Sequence, residues 1–495
     1  MKDWMKKLEL HYERIRNRYP KDRLMILFDI DGTILDMRHT IHYALKSFDD
    51  LHGTPFFRYL KIGDIAVHET EVEALLEKLA VPEEERNRVM EWYEKTCWSA
   101  DAILESHRPF MGVMEVIRWF QIQPDTFVGL NTGRPECIRT ETLYSINKIG
   151  QEFKANFSHE LLYMNANGWE GDIITSKVAG VLHFQRSGYR IFAFIDNEPE
   201  NLRAVSDVDP QKQILLLHAD TLFKSKRRRL PPHAVSGKRY DLTKLIHEKA
   251  LPQHVQLVWH GVNDEGNLRQ FLASGIRWAE CDVRLDPTGE KIVLRDDSFE
   301  SVSLQEDEEL LTLEEILDPI RRAGKSLKLD LKENGVLIDQ TLSILNRHSY
   351  DGKNLWFNGR IDELKPEGFR RLAEAFPQSI IQCPIDSLIP LILSVPGKAL
   401  ALLDTFRDWG VNRYSMSWKS PSIHCVLNKL DKWGFEANIY NVPDLESFLR
   451  AVLLLPVSVT SDFNFPRWHY YGRGSGGNQK RHTYGIIRTP QSLSV

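Results

Sequence analysis

The chain is poor in cysteine: Cys97, Cys137, Cys281, Cys383 and Cys425 are the only five in 495 residues. They are odd in number and scattered, and no two form a CxxC pair. That excludes a disulfide framework and argues against a zinc ribbon. It fits a reducing, cytoplasmic setting. No run of 18 or more apolar residues occurs, so no membrane-spanning helix is expected. The first twenty residues carry charge throughout and lack the apolar core of a signal peptide. Trp4, Leu8 and Ile15 fall at helical spacing there, which predicts a short amphipathic helix. A hydrophobic fraction of 42% and a charged fraction of 27% exclude a wholly disordered or collagen-like chain. The length allows about two to four domains.

The net charge of −5 hides an asymmetry. Phe223 to Tyr240 carries seven basic residues and no acid, and Phe463 to Val495 carries five and no acid. The rest of the chain therefore stands at −17. The two basic segments are either anionic contacts or solvated connectors. No nucleic-acid motif accompanies them, so nucleic-acid binding is not expected.

The joint SKRRRLPPHAVSGKRY contains Pro231, Pro232 and Gly237, which mark a boundary. The expected organisation is a domain over 1–250, a basic joint over 224–252, a second domain over 253–470, and a glycine-rich tail over 471–495. In the first half, Leu24–Ile30, Phe127–Leu130 and Arg190–Ile195 read as buried strands. Each ends in polar residues, as in an open parallel α/β sheet whose site lies beyond the strand ends. In the second half, eight short strands alternate with helical patterns such as Leu313–Ala323 and Leu445–Leu454. They start near Val255, Ile276, Leu327, Asn354, Ser379, Val411, Glu436 and Val457. That pattern predicts a (β/α)₈ barrel, with an open sheet as the alternative.

FDIDGTILD sets Asp29 and Asp31 two residues apart, just past a buried strand, so both face one side. Two carboxylates this close demand a cation between them. A hard ion held by few carboxylates and water, such as Mg²⁺, meets that demand. One carboxylate can attack phosphorus, and the other can serve as acid and base. Gly32 permits the sharp turn, and Thr33 can bond the loop.

On these residues the first half resembles the haloacid dehalogenase superfamily of phosphohydrolases. Four motifs agree in order over about 200 residues: DxDGT, Thr132 in NTGRP, Lys177 in TSKVAG and Asp196 in FIDNEPEN. The resemblance implies a Rossmann-like core with a helical cap over about 36–122. It implies Asp29 as nucleophile, Asp31 as general acid and base, and Thr132 and Lys177 on the phosphoryl group. Mg²⁺ would be held by Asp29, Asp31 through its main-chain carbonyl, Asp196 and an outer acid, Glu200 or Glu198. Gly32, Thr33 and Gly133 are expected substrate contacts; Asn131 and Arg134 are either substrate contacts or structural residues. His39, His42, Tyr43 and Arg58 are unranked candidates in the cap. The retained Asp31 favours phosphatase over dehalogenase chemistry.

The second half ends successive strands in His260, in Glu280 and Asp282, and in Asp330 and Lys332. Charged residues at period two are costly inside a barrel but are tolerated at its carboxyl-end face. On WHGVN, ECDV and KLDLK this half resembles the phospholipase-C-like phosphodiesterase superfamily. That superfamily contains the glycerophosphodiester phosphodiesterases, and the menorin-like branch looks nearest. The resemblance covers about residues 254–465. It implies a TIM-like barrel in which Glu280, Asp282 and Asp330 hold Mg²⁺ or Ca²⁺ and His260 is catalytic. Arg295 stands where that family carries a second histidine, and Gly261 stands where it carries an arginine. Arginine does not deprotonate usefully, though it can hold a phosphate. The expected function is a Mg²⁺-dependent phosphomonoesterase of a small phosphorylated substrate. The barrel then either cleaves a phosphodiester or binds one without turnover.

Overall fold

Arg23–Phe28 (RLMILF) is apolar from its second residue onward and is buried from that residue onward. A strand covered on both faces has no polar side to show, which is how parallel α/β sheets read. This is β1, the interior strand of a six-stranded parallel sheet, in a computed structural model that describes residues 3–168, 171–220, 230–304, 308 and 310–462. The arginine-rich part of the joint, 221–229, and the basic tail lie outside the described residues. The chain divides into two units, with the boundary between Ile246 and His247.

In the first unit, β2 (Thr126–Pro135), β3 (Leu162–Asn165), β4 (Tyr189–Asp196), β5 (Leu215–Ala219) and β6 (Val235–Gly237) join β1 in the order β3-β2-β1-β4-β5-β6. Helix α1 (Trp4–Arg18) is the amphipathic helix that Trp4, Leu8 and Ile15 foreshadow, and all three are buried. Between β1 and β2 the chain inserts α2 (Arg38–His52), α3 (Val72–Lys78), α4 (Glu83–Thr96) and α5 (Ala100–Ser106). These helices have their own apolar core, built on Leu45, Phe48, Phe57, Leu75, Val89 and Tyr93. The two connectors to this insertion pair with each other. Asp36 donates its N–H to the Arg108 carbonyl at 2.8 Å, and Phe110 donates to Ile34 at 2.9 Å. Further on, α6 (Val113–Gln121), α7 (Arg139–Gly150), α8 (Ile173–Arg186) and α9 (Pro199–Asp207) flank the strands.

The end of this unit differs from the expectation. Val235–Gly237 lies within the predicted joint, yet it forms edge strand β6. A Cβ on Gly237 would stand 2.1 Å from the Trp4 ring, so only glycine fits there. Trp4 donates its indole N–H to the Arg239 carbonyl at 2.6 Å. The Tyr240 ring packs on the Trp4 ring at 4.9 Å between centroids.

In the second unit, eight parallel strands form a closed ring. They are β7 (Gln256–Trp259), β8 (Trp278–Leu285), β10 (Ser326–Leu331), β11 (Leu355–Asn358), β12 (Ile380–Pro384), β13 (Arg413–Ser417), β14 (Glu436–Val442) and β15 (Ser458–Ser461). The pairings β15–β7 and β10–β8 complete the closure, which settles barrel against open sheet. A short strand, β9 (Ile292–Leu294), adds to β8 in antiparallel fashion. No helix among the described residues is long and apolar enough to cross a membrane.

Candidate functional site

In the first unit, three adjacent strands deliver polar groups at their carboxyl ends. Asp29 follows β1, Thr132 and Arg134 sit in the last part of β2, and Asp196 closes β4. Gly32, at φ +73°, turns the loop after Asp29, and a Cβ there would meet Asn197 at 2.4 Å. Lys177 reaches the group from the second turn of α8. Its ammonium is buried, donates to Asp29 Oδ1 and to the Asn131 carbonyl (2.8 Å), and pairs with Asp196 at 2.9 Å. Burial works against that charge, but Asp196 and Asp29 outweigh it and raise Lys177 above the usual lysine range.

Asp29 accepts from Thr33 Oγ1 at 3.3 Å. With its amide nitrogen turned inward, Asn197 donates to Asp29 Oδ2 at 3.2 Å and to the Asp31 carbonyl at 3.1 Å. Burial pushes the Asp29 carboxyl up; Lys177 opposes this, and Asp196 and Asp31 add to it, leaving it at about 8. One lysine shared between two buried carboxylates does not supply enough positive charge.

Asp31 is gripped by Arg134 in a bidentate pair of 2.7 and 2.6 Å. Arg134 is almost fully buried. It also donates to Thr142 Oγ1 at 3.2 Å and stands 3.0 Å from His107 Nε2. Its guanidinium covers the Trp98 ring at 5.2 Å. Burial, Arg134 and Arg108 hold His107 far below the ordinary histidine range, so it accepts from Arg134 as the neutral ring. Two candidate substrate contacts therefore have structural work here. Arg134 orients Asp31. Asn131 is completely buried and donates to the Lys177 carbonyl at 2.8 Å, bracing α8. Thr132 is buried, and its hydroxyl accepts from the Arg134 N–H at 3.2 Å. Gly133 is half-buried against Ile173. Glu200 lies in the first turn of α9. Glu198 lies 3.3 Å from His68 of the helical insertion.

Three groups escaped the sequence reading. Asn197 follows the fourth motif directly. His68 carries no local pattern. Tyr240 donates to the Thr33 carbonyl at 3.0 Å from 207 residues away.

In the second unit, register explains the cluster. Glu280 and Asp282 of β8 lie beside Lys328 and Asp330 of β10. Lys328 pairs with Glu280 at 3.0 Å and stands over the Trp356 ring at 4.9 Å. Lys332 reaches three carboxylates: Asp282 at 2.7 Å, Asp296 at 2.7 Å, and Asp330. Burial lowers Lys332, but Asp282 and Asp330 outweigh it and raise it well above the lysine range. Burial raises Asp282, but Lys332 and His260 prevail and hold it well below the carboxylate range. Asn263 donates to Asp282 Oδ2 at 2.6 Å and accepts from its N–H at 2.9 Å. Asn358 donates to Asp330 at 2.5 Å.

His260 Nδ1 lies 2.5 Å from Asp462 Oδ1. Burial lowers this histidine; Asp462 and then Glu280 and Asp282 more than reverse that, raising it to about 9. Gly261 adopts φ +70°, a conformation that disfavours the arginine expected there. Arg295 is nearly buried. It pairs with Glu308 at 3.0 Å and donates to the Asp297 carbonyl at 2.9 Å.

Both centres hold a lysine among their carboxylates. Among the described residues, no group of three or more His, Cys, Asp or Glu side chains is spaced to hold a metal ion. Mg²⁺ needs only one or two carboxylates plus water and substrate oxygens. Asp29 and Asp196, with the Asp31 carbonyl close by, fit that need. In the barrel Glu280, Asp282 and Asp330 are engaged by Lys328 and Lys332, as Asp29 and Asp196 are by Lys177.

No family model matches the chain, and no curated protein matches it. Solved structures of two kinds are similar to it. One is an Oleispira antarctica phosphodiesterase in complex with the product sn-glycerol-3-phosphate. It is 17% identical, covers 43% of this chain and 94% of its own, and has a TM-score of 0.33. A glycerophosphodiester phosphodiesterase from Agrobacterium tumefaciens is 13% identical over 42% of this chain and 96% of its own, with a TM-score of 0.30. The other kind includes a HAD-superfamily hydrolase, subfamily IA, from Geobacter sulfurreducens. It is 10% identical over 41% of this chain and 90% of its own, with a TM-score of 0.29.

Proposed function

We propose that the first unit hydrolyses a phosphomonoester through Asp29, assisted by Mg²⁺. The observation that carries this reading is the convergence of Asp29, Lys177, Asp196 and the Arg134-held Asp31 at the ends of adjacent strands. Asp29 attacks phosphorus, a phosphorus–oxygen bond forms, and the bond to the leaving alkoxide breaks. The Asp31 carboxyl gives that alkoxide its proton. Asp31, now a carboxylate, takes a proton from water, whose oxygen attacks phosphorus and releases Asp29. Orthophosphate leaves, and both carboxyls return to their starting states. Lys177 holds Asp29 in line and balances charge on the phosphoryl oxygens. The Thr132 hydroxyl is positioned to donate to one of those oxygens. Bound Mg²⁺ supplies charge stabilisation at the phosphoryl group, with Asp29, Asp196 and the Asp31 carbonyl as its holders. The test is hydrolysis of an aryl phosphate with Mg²⁺, using the intact chain and its Asp29→Asn variant. Undiminished turnover in that variant would sink the reading.

For the barrel we propose binding of a phosphorylated ligand without turnover. What favours this is Arg295 where a second histidine would serve as acid or base, with its guanidinium paired to Glu308. Diester hydrolysis that disappears in Glu280→Ala and requires added metal would refute it and restore the bifunctional alternative.

A further inference from the structure

Helix α2 presents His39, Tyr43, Lys46 and Asp50 at spacings of three and four, so they lie on one face. That face forms one wall of a cavity of about 280 Å³. Glu105 and Arg108, from the end of α5 and the connector after it, line another part. None of the residues of the Asp29 cluster lines this cavity.

Its chemistry is unusual for a surface hollow. Lys46 donates to the Arg58 carbonyl at 2.7 Å and keeps two further N–H donors. Arg108 donates to the His107 carbonyl at 2.7 Å, and its guanidinium is exposed at the cavity. His42, also in the lining, stands 2.9 Å from the Leu60 carbonyl through Nε2. Asp50 and Glu105 are exposed carboxylates of the same lining. The two acids match the two permanent cations, so a bare anion or a bare cation gains little net attraction. A ligand carrying both charges satisfies both halves. Pockets for drug-sized ligands run to roughly 300–1,000 Å³, so this one suits a smaller molecule.

We propose that this cavity binds a small zwitterion, its oxyanion on Lys46 and Arg108 and its ammonium on Asp50 and Glu105. The shared chemistry is an oxyanion and an amine a few bonds apart; the oxyanion is a carboxylate or a phosphoryl group. The location gives such binding a consequence. The cavity touches both the helical insertion and the connector that carries Arg108. Through His107, the neighbour of Arg108, that connector abuts Arg134 and hence Asp31. The proposal does not depend on Asp29 being a nucleophile.

The test is calorimetric titration of the full chain with β-alanine and with 2-aminoethylphosphonate, whose carbon–phosphorus bond is not an ester. Malonate and ethanolamine serve as controls that carry charge of one sign only. At least one zwitterion should bind about tenfold or more tightly than either control, and which one does identifies the oxyanion. Lys46→Gln with Arg108→Gln should remove that binding, and Asp29→Asn should leave it within about twofold. Glu105→Gln, at an exposed carboxylate, should cut the preference over malonate; it serves as the test if the double variant does not fold. No heat from either zwitterion at millimolar concentration, equal affinity for the controls, or binding lost only with Asp29→Asn would overturn the proposal. Loss of aryl phosphate turnover in Asp29→Asn is a separate outcome and leaves this one untouched.

Discussion

The same side-chain types build both polar centres, but the cations are shared out differently. In the first unit Lys177 serves two carboxylates, and Asp29 is left with its pKa raised to about 8. In the barrel Lys332 serves three: Asp282 is held low with help from His260, while burial and the neighbouring Asp282 and Glu280 raise Asp330. The difference arises from where the cation originates. Lys177 comes from a helix and touches only what its tip reaches. Lys332 comes from the end of the strand that carries Asp330, so it sits among the acids of neighbouring strands.

The most severe way to break this contrast is at Asp29. Asp29→Asn should lower aryl phosphate turnover by about a thousandfold or more, roughly 4 kcal/mol or more in barrier height. Steady-state kinetics of the purified chain will show it. Nearly as large an effect is expected at Lys332. Lys332→Met leaves buried carboxylates unpaired, which costs about 3–5 kcal/mol, read from the denaturant midpoint. Added Ca²⁺ or Mg²⁺ should recover part of that loss in this variant and change the wild-type midpoint little. A wild-type barrel that responds as strongly would erase the contrast.

His260 offers a test through pH. Its pKa is raised from 6.5 in the unfolded chain to about 9 when folded. The stabilisation is therefore complete below about pH 6.5 and is lost as pH rises through 9. It amounts to at most about 3 kcal/mol. His260→Gln should flatten the fall in thermal midpoint over that window, and Asp462→Asn should do the same. Smaller again is Arg134→Lys. Lysine cannot reproduce the two-pronged grip on Asp31, so turnover should fall about tenfold with KM little changed. Smallest is Tyr240→Phe, which removes one buried hydrogen bond to the Thr33 carbonyl and should cost about 1 kcal/mol of stability.

Much of the framework was readable in the residue pattern. All eight barrel strands begin within two residues of where β-branched and apolar runs place them. DxDGT, Thr132, Lys177 and Asp196 meet in space, because parallel strands bring their carboxyl ends to one edge. Lys328 was readable in principle, since it alternates with Asp330 and Lys332 at period two. What stayed hidden was of two kinds. Strands β6 and β9 are three residues long, too short for periodicity to register. Asp462 beside His260, and Tyr240 beside Thr33, are partners more than two hundred residues apart, so no local pattern reports them. Arg134 reads from the sequence equally as a substrate contact or a structural residue, and its grip on Asp31 shows the structural part.

The Tyr240–Trp4 packing has a practical corollary for dissecting the molecule. A fragment ended at the arginine-rich stretch, where composition invites a cut, would lose edge strand β6 and the tyrosine that steadies the turn after Asp29. Its aspartates would all be present, and an activity measured on it would report the missing brace rather than the chemistry. A cut placed after Ile246 keeps α1 fastened to the segment that follows β6.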